Sequence, residues 1–225
     1  FNIENFDKGK KRVSLLFDGA MSEARVYVNG KEAIFWPFGY NSFHCDITDF
    51  LNSDGNSNIV AVRLENKPQS SRWYPGAGLY RNVHVVITNE VHVPIWGTYI
   101  TTPFVSKEYA SVNLKTEIKN SENNDIRIVT EITDAKGNVV STKDNTQRIN
   151  HGKPFEQNFI VNNPNLWTPE APYLYKAVSK VYTEGKLTDE YITRFGIRDI
   201  RLIADKGFFL NGEKRKFQGV CNHHD

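Results

Sequence analysis

The chain has 225 residues, with 28 Lys and Arg against 26 Asp and Glu, a formal charge of +2. Near-neutrality removes the basic excess that phosphate binding needs, so no nucleic-acid partner is expected. Hydrophobic residues make up 39%, sufficient for a core, and no run of about 18 apolar residues marks a transmembrane helix, so no membrane partner is expected either. At about 150 residues per domain the length corresponds to roughly one and a half domains. Aromatic residues stand at 12%, as 14 Phe, 10 Tyr and 4 Trp, against a single Met. Aromatic side chains favour half-buried pleated surfaces, and the composition points to an all-β protein. Cys45 and Cys221 have neither metal-ligand spacing nor the pattern of a disulfide framework, and are expected to be two reduced, unrelated thiols.

Alternation with period two recurs along the chain, and helical periodicity is nearly absent. Residues 13–17 read as a buried strand closed by Asp18-Gly19. Residues 24–28 and 31–36 flank Asn29-Gly30, a hairpin turn in which both residues tolerate positive φ. Residues 43–47 form a further strand, and 46–51 are expected to make one helical turn capped by Thr48. After a polar turn at 52–58, strands follow at 58–64 and 82–88. Between them residues 67–80 are rich in Pro, Gly and Ser. Connections of that length in a compact domain are functional or disordered, and the presence of Arg72, Trp73, Tyr74 and Tyr80 favours function.

Strands are next expected at 111–118, 126–133, 155–161, 173–183 and 191–196, with turn signals about every ten residues. That pattern fits an immunoglobulin-like sandwich. Pro164 and Pro169-Glu170-Ala171-Pro172 interrupt it before residue 173, since Pro is kept out of central ladders. From residue 204 the texture changes to a short hairpin around Asn211-Gly212, and 219–225 begins what reads as a third domain. The expected division is therefore 1–92, 93–203 and 204–225.

Several of these segments, in order, resemble glycoside hydrolase family 2, the family of the large bacterial β-galactosidases. Phe17-Asp18-Gly19 with Val26-Tyr27-Val28-Asn29-Gly30 is similar to its sugar-binding jelly-roll domain. The run from Trp73-Tyr74-Pro75-Gly76 through Leu79-Tyr80-Arg81-Asn82-Val83 resembles that domain's aromatic-glycine loop. Asn163-Pro164-Asn165-Leu166-Trp167-Thr168-Pro169-Glu170 and Arg194-Phe195-Gly196-Ile197-Arg198 resemble its immunoglobulin-like second domain. Phe209-Leu210-Asn211-Gly212 and Gly219-Val220-Cys221-Asn222-His223-His224-Asp225 resemble the approach to its catalytic TIM barrel.

The resemblance implies a partial jelly roll, an immunoglobulin-like sandwich and the first strands of a TIM barrel. It also implies a retaining exo-β-glycosidase, favouring β-galactosidase over β-glucuronidase and β-mannosidase. Retention uses two carboxyls about 5 Å apart. In the family these are glutamates of later barrel strands, and no Glu of this chain stands in a matching motif. The 225 residues are thus expected to be a catalytically inactive portion of a longer polypeptide, with Phe1 partway through the jelly roll. One sheet would then have an unpaired edge and an uncovered apolar face. The expected partner is a β-galactoside or other glycoside, bound through the parent enzyme, and a homo-oligomer stays open.

The same resemblance places His223 on a histidine that contacts the sugar. On a strand His223 and Asp225 share a face, with His224 on the other. Together an imidazole and a carboxylate can bond several galactosyl hydroxyls; an ordinary charged strand end and metal binding are the alternatives. On the long loop, Trp73 can stack on a pyranose and Arg72 can donate to hydroxyls; a core Trp and a local ion pair are the alternatives. Where some members place an acidic metal ligand this chain has Ser71, so neither metal nor cofactor is expected. Trp36, Phe38 and Tyr40 read as hairpin packing, with a sugar-stacking platform as the alternative, and Trp167, Tyr173 and Tyr175 as core of the second sandwich. The competing readings of the whole are a stand-alone carbohydrate-binding module and an adhesin-like pair of sandwiches.

Overall fold

The computed structural model describes residues 1–4, 6–52, 56–69, 76–119, 125–148 and 153–221. Among them the regular elements are strands and one 3₁₀ turn, in two compact units: Phe1–Glu90 with the last residues from Val220, and Val91–Gly219. The expected all-β class is what the chain adopts.

The first unit pairs two three-stranded antiparallel sheets. One runs β4 (Phe43–Asp46), β1 (Lys11–Phe17), β6 (Val83–Asn89); the other runs β3 (Lys31–Trp36), β2 (Ala24–Val28), β5 (Val60–Arg63). Alternation sends Val13, Leu15 and Phe17 from one sheet and Ala24, Val26 and Val28 from the other into a shared core, all at most 2% exposed. Phe17 stacks on Phe43 at 4.7 Å, and Trp36 stacks on Phe43 at 5.4 Å. The Asn29-Gly30 turn has φ of +49° and +80°, the signs that a type I′ hairpin requires. The Asn29 amide also donates to the Phe50 carbonyl and to Asn58 Oδ1, tying the hairpin to the neighbouring loops.

The 3₁₀ turn spans Thr48–Phe50, but Thr48 does not cap it: Ile47 holds that position, with no side-chain cap bond. Thr48 Oγ1 instead accepts the buried Val13 N–H at 2.9 Å. A buried donor at the start of β1 needs an acceptor, and that need outweighs the local cap.

The register Phe17↔Val83, Leu15↔Val85, Val13↔Ile87 puts Val83, Val85 and Ile87 on the core-facing side of their sheet. Their partners are buried, whereas these three are 41%, 44% and 49% exposed. An apolar face therefore lies uncovered along β6, which pairs with β1 alone among the described strands.

In the second unit seven strands form a sandwich of three and four: β11 (Phe155–Asn162), β8 (Tyr109–Thr116), β7 (Thr98–Val105), and β10 (Val139–Arg148), β9 (Asp125–Thr133), β12 (Tyr175–Thr183), β13 (Lys186–Phe195). Its apolar core falls into two clusters. Buried polar side chains lie between them along the strands: Thr130 and Ser179 share a 2.9 Å hydrogen bond, and Gln157 donates to the Ile128 carbonyl. Tyr175 is buried and its phenol pKa is raised, chiefly by that burial. Trp167 corrects the expectation of a core tryptophan: it is half-buried, at the margin of the sandwich.

A third antiparallel sheet in this unit joins β14 (Ile200–Ile203), β15 (Gly207–Leu210) and β16 (Glu213–Arg215). Asn211 and Gly212 make its turn at φ +52° and +83°. Strand β14 thus bonds along its length to residues on the far side of position 204.

Cys45 is buried and Cys221 exposed, both free. Burial pushes the Cys45 thiol up to about 11, so it stays protonated and shielded at neutral pH. Titration with a thiol reagent is expected to show one fast thiol in the native chain and a second only after denaturation.

Candidate functional site

The long loop leaves and returns to one short segment, residues 21–23. On its outgoing side the Glu65 N–H donates to the Ser22 carbonyl and Ser22 Oγ to the Glu65 carbonyl, both at 2.9 Å. Lys67 pairs with Glu23. On its returning side Met21 and Gly78 exchange two backbone hydrogen bonds of 3.0 and 3.1 Å. Tyr80 then fits against Gly19, where a Cβ would lie 2.7 Å from the phenol ring. Asp18 binds the chain beyond it: its N–H donates to the Asn82 carbonyl and its carboxylate meets His84 Nε2 at 3.1 Å. Phe17-Asp18-Gly19 is therefore the seat of the loop's returning end.

A second loop, 37–42, is held on the same seat. Tyr80 OH donates to the Gly39 carbonyl at 2.7 Å, and a Cβ on Gly39 would overlap the Met21 sulfur. The Glu23 N–H donates to the Pro37 carbonyl, Trp36 Nε1 to Asn41 Oδ1, and Ser42 Oγ to the Asp18 carbonyl. The structure separates the three aromatics of this region. Trp36 packs inward on Phe43, whereas Phe38 and Tyr40 are 54% and 38% exposed with their rings edge-on at 5.6 Å.

In the second unit three of the sequence motifs meet. The Trp167 N–H donates to the Ile197 carbonyl, and the Arg198 guanidinium lies 5.1 Å above the indole. Gly196 leaves room for that indole, since a Cβ there would come within 2.9 Å of it. Asn211 closes the arrangement. Its Oδ1 accepts the Asp199 N–H at 2.9 Å, and its Nδ2 donates to the Trp167 carbonyl at 3.1 Å. Arg215 reaches the Glu170 carboxylate, and Glu170 is held below its ordinary pKa by its own backbone N–H and by Arg215. Beside this clasp is an open cleft of about 390 Å³, bordered by Leu166, Phe209 and the ion-paired Asp199 and Arg201. Lys107 also lines it, beside that ion pair, and the clasp is architecture rather than a reactive centre.

Arg72, Trp73 and Ser71, together with His223, His224 and Asp225, lie outside the described residues. For the first three, the structure places the anchored ends of the loop that carries them. Among the described residues no group of three His, Cys, Asp or Glu side chains could hold a metal ion. The roles of Tyr80 and Asn211 went unread from sequence. The only signal at Asn211 was its position before Gly, where Asn can take positive φ and keep an amide free to bond.

The family model for glycosyl hydrolases family 2 matches residues 91–198. Beta-galactosidase BoGH2A of Bacteroides ovatus is 40% identical over 230 residues, covering 100% of this chain and 27% of that protein. A putative beta-glucuronidase of Formosa agariphila is 35% identical, covering 95% and 20%. The crystal structure of a family 2 glycosyl hydrolase from Bacteroides cellulosilyticus DSM 14838 superposes with a TM-score of 0.93 at 34% identity, covering 100% of this chain and 31% of that one. The chain spans about a quarter of the length of the curated relatives it matches.

Proposed function

The chain belongs to glycosyl hydrolases family 2, and from that premise we propose that it is the front portion of a retaining exo-β-glycosidase acting on terminal β-galactosides. The likeness that carries this reading is 40% identity along the whole chain to a protein named as a β-galactosidase. In this reading the first unit is a partial jelly roll and the second an immunoglobulin-like support. Residues 204–225 lead into a catalytic barrel of about 250 residues, which supplies both carboxyls. The uncovered face of β6 supports a first unit that is completed by other polypeptide. The double anchoring of the long loop supports a role in which that loop carries Arg72 and Trp73 to the sugar. His223 and Asp225 bond its hydroxyls, and Ser71 leaves the loop without an acidic metal ligand.

A β-glucuronidase is the second reading, favoured by 35% identity to a protein so named. The two separate on substrate. The parent enzyme is expected to show kcat/KM at least about a hundredfold higher on a nitrophenyl β-galactoside than on the β-glucuronide, a difference of roughly 2.7 kcal/mol. In the same assay Arg72→Ala and Trp73→Ala are each expected to lower kcat/KM by about ten- to a hundredfold. The reverse preference would transfer the assignment to the glucuronide.

A further inference from the structure

Asparagine is depleted in strands. The three-stranded sheet of the second unit nevertheless carries two in mid-strand, directly opposite each other: Asn113 on β8 and Asn158 on β11. Alternation sends Val112, Leu114, Phe159 and Val161 into the core, so both amides stand on the outer face. The register sets Thr101 of β7 beside Asn113, and Tyr99, Lys115 and Glu156 form the neighbouring row across the same three strands. The amides are fixed. Asn113 Nδ2 donates to Glu156 Oε1 at 2.7 Å and to Asn158 Oδ1 at 2.8 Å. Asn113 Oδ1 and Glu156 Oε2 are then left as oriented acceptors, and Asn158 Nδ2 as an oriented donor. Tyr99 is 65% exposed and its ring has no partner among the described residues. Groups held in place like these lose little side-chain freedom when a ligand arrives, which is a large part of the cost of binding. Residues that break strand preference without a packing gain mark a functional position.

The chemistry of the strip selects its occupant. Lys115 and Glu156 balance in one row, so no net charge favours an acidic or a basic ligand. The row of Thr101, Asn113 and Asn158 is polar throughout, whereas the centre of a protein–protein patch is apolar. A phenol ring beside fixed acceptors and donors suits a pyranose, with its C–H face on the ring and its hydroxyls on the amides. Strands lie about 4.8 Å apart, so three of them span roughly 10 Å, the footprint of a short oligosaccharide. We propose that the outer face of β7, β8 and β11 binds a neutral saccharide chain, with Tyr99 as the stacking ring and Asn113, Asn158 and Glu156 as the groups that bond its hydroxyls. The choice of a β-galactan as the ligand rests on the glycosidase reading.

The test is an NMR titration of the 225-residue chain with β-1,4-galactotetraose, read at the side-chain amide signals of Asn113 and Asn158. Saturable shifts at both are expected. Tyr99→Ala and Asn113→Val are each expected to weaken binding by about tenfold or more, and Tyr99→Phe, which keeps the ring, to bind nearly as well as the native chain. Asn113→Val is expected to unfold at an equal or higher denaturant midpoint, because valine suits a strand better than asparagine. If that variant fails to fold, Tyr99→Ala decides alone. Absence of saturable shifts in the native chain would overturn the strip, as would a Tyr99→Ala chain that binds within twofold of it. So would self-association that depends on Tyr99 without any binding of the tetraose. A parent enzyme that hydrolyses β-galactosides while the chain ignores the tetraose would sink the strip alone. An inactive parent whose front portion still needs Tyr99 to bind the tetraose would sink the glycosidase reading alone.

Discussion

Phe17→Ala is expected to destabilise the first unit by about 3–5 kcal/mol, the range for deleting a fully buried phenylalanine. Phe17 is 0% exposed and stacks face to face on Phe43, which in turn stacks with Trp36. Removing its ring leaves a void that these neighbours, fixed by strand pairing on both sides of the sandwich, can only partly fill. The strand then packs less tightly directly before Asp18-Gly19, the seat of both loops. Chemical denaturation followed by Trp fluorescence measures the loss. Phe17→Leu, which keeps most of the volume, is expected to lose less than half as much.

In the second unit, Asn211→Ala is expected to cost about 3 kcal/mol. The change deletes two hydrogen bonds and leaves the Asp199 N–H and Trp167 carbonyl in a partly buried site without those partners. It also puts alanine at φ +52°, a conformation asparagine accepts more readily. Asn211→Gly separates the two causes, since it relieves the backbone and still loses the bonds. The clasp has an acid-sensitive arm as well. Because the carboxyl of Glu170 is depressed in the folded chain, its contribution is complete above the ordinary carboxylate pKa. It fades as pH falls through the lower folded value. Glu170→Gln is therefore expected to destabilise at neutral pH and to be without effect in strong acid, as read by unfolding midpoints across that range.

Legibility followed local chemistry. Strands 24–28 and 31–36 were readable to the residue, because Asn29-Gly30 sets the turn between them and burial alternates along the first. β7, β10 and β14 were not. β7 carries Pro103 at a register shift on an outer strand, which breaks its alternation. β10 is a mostly exposed, largely polar outer strand, so no apolar period marks it. β14 is exposed throughout, and only its pairing with β15 reveals it. Thr48 was legible as a hydroxyl near a turn, but not as the acceptor for a donor 35 residues away. At the candidate site the motifs were visible, and the reason they occur together was not. Gly19, Gly39 and Gly196 matter through the side chains pressed against them, a property of the assembled fold.

The most direct test of the central claim is covalent trapping of the parent enzyme with an activated 2-fluoro-β-galactoside, followed by peptide mapping. A retaining enzyme holds the fluorosugar on its nucleophile. The account predicts one labelled glutamate outside residues 1–225 and no label on the isolated chain. A label within those residues, or a parent enzyme that takes up none, would contradict it.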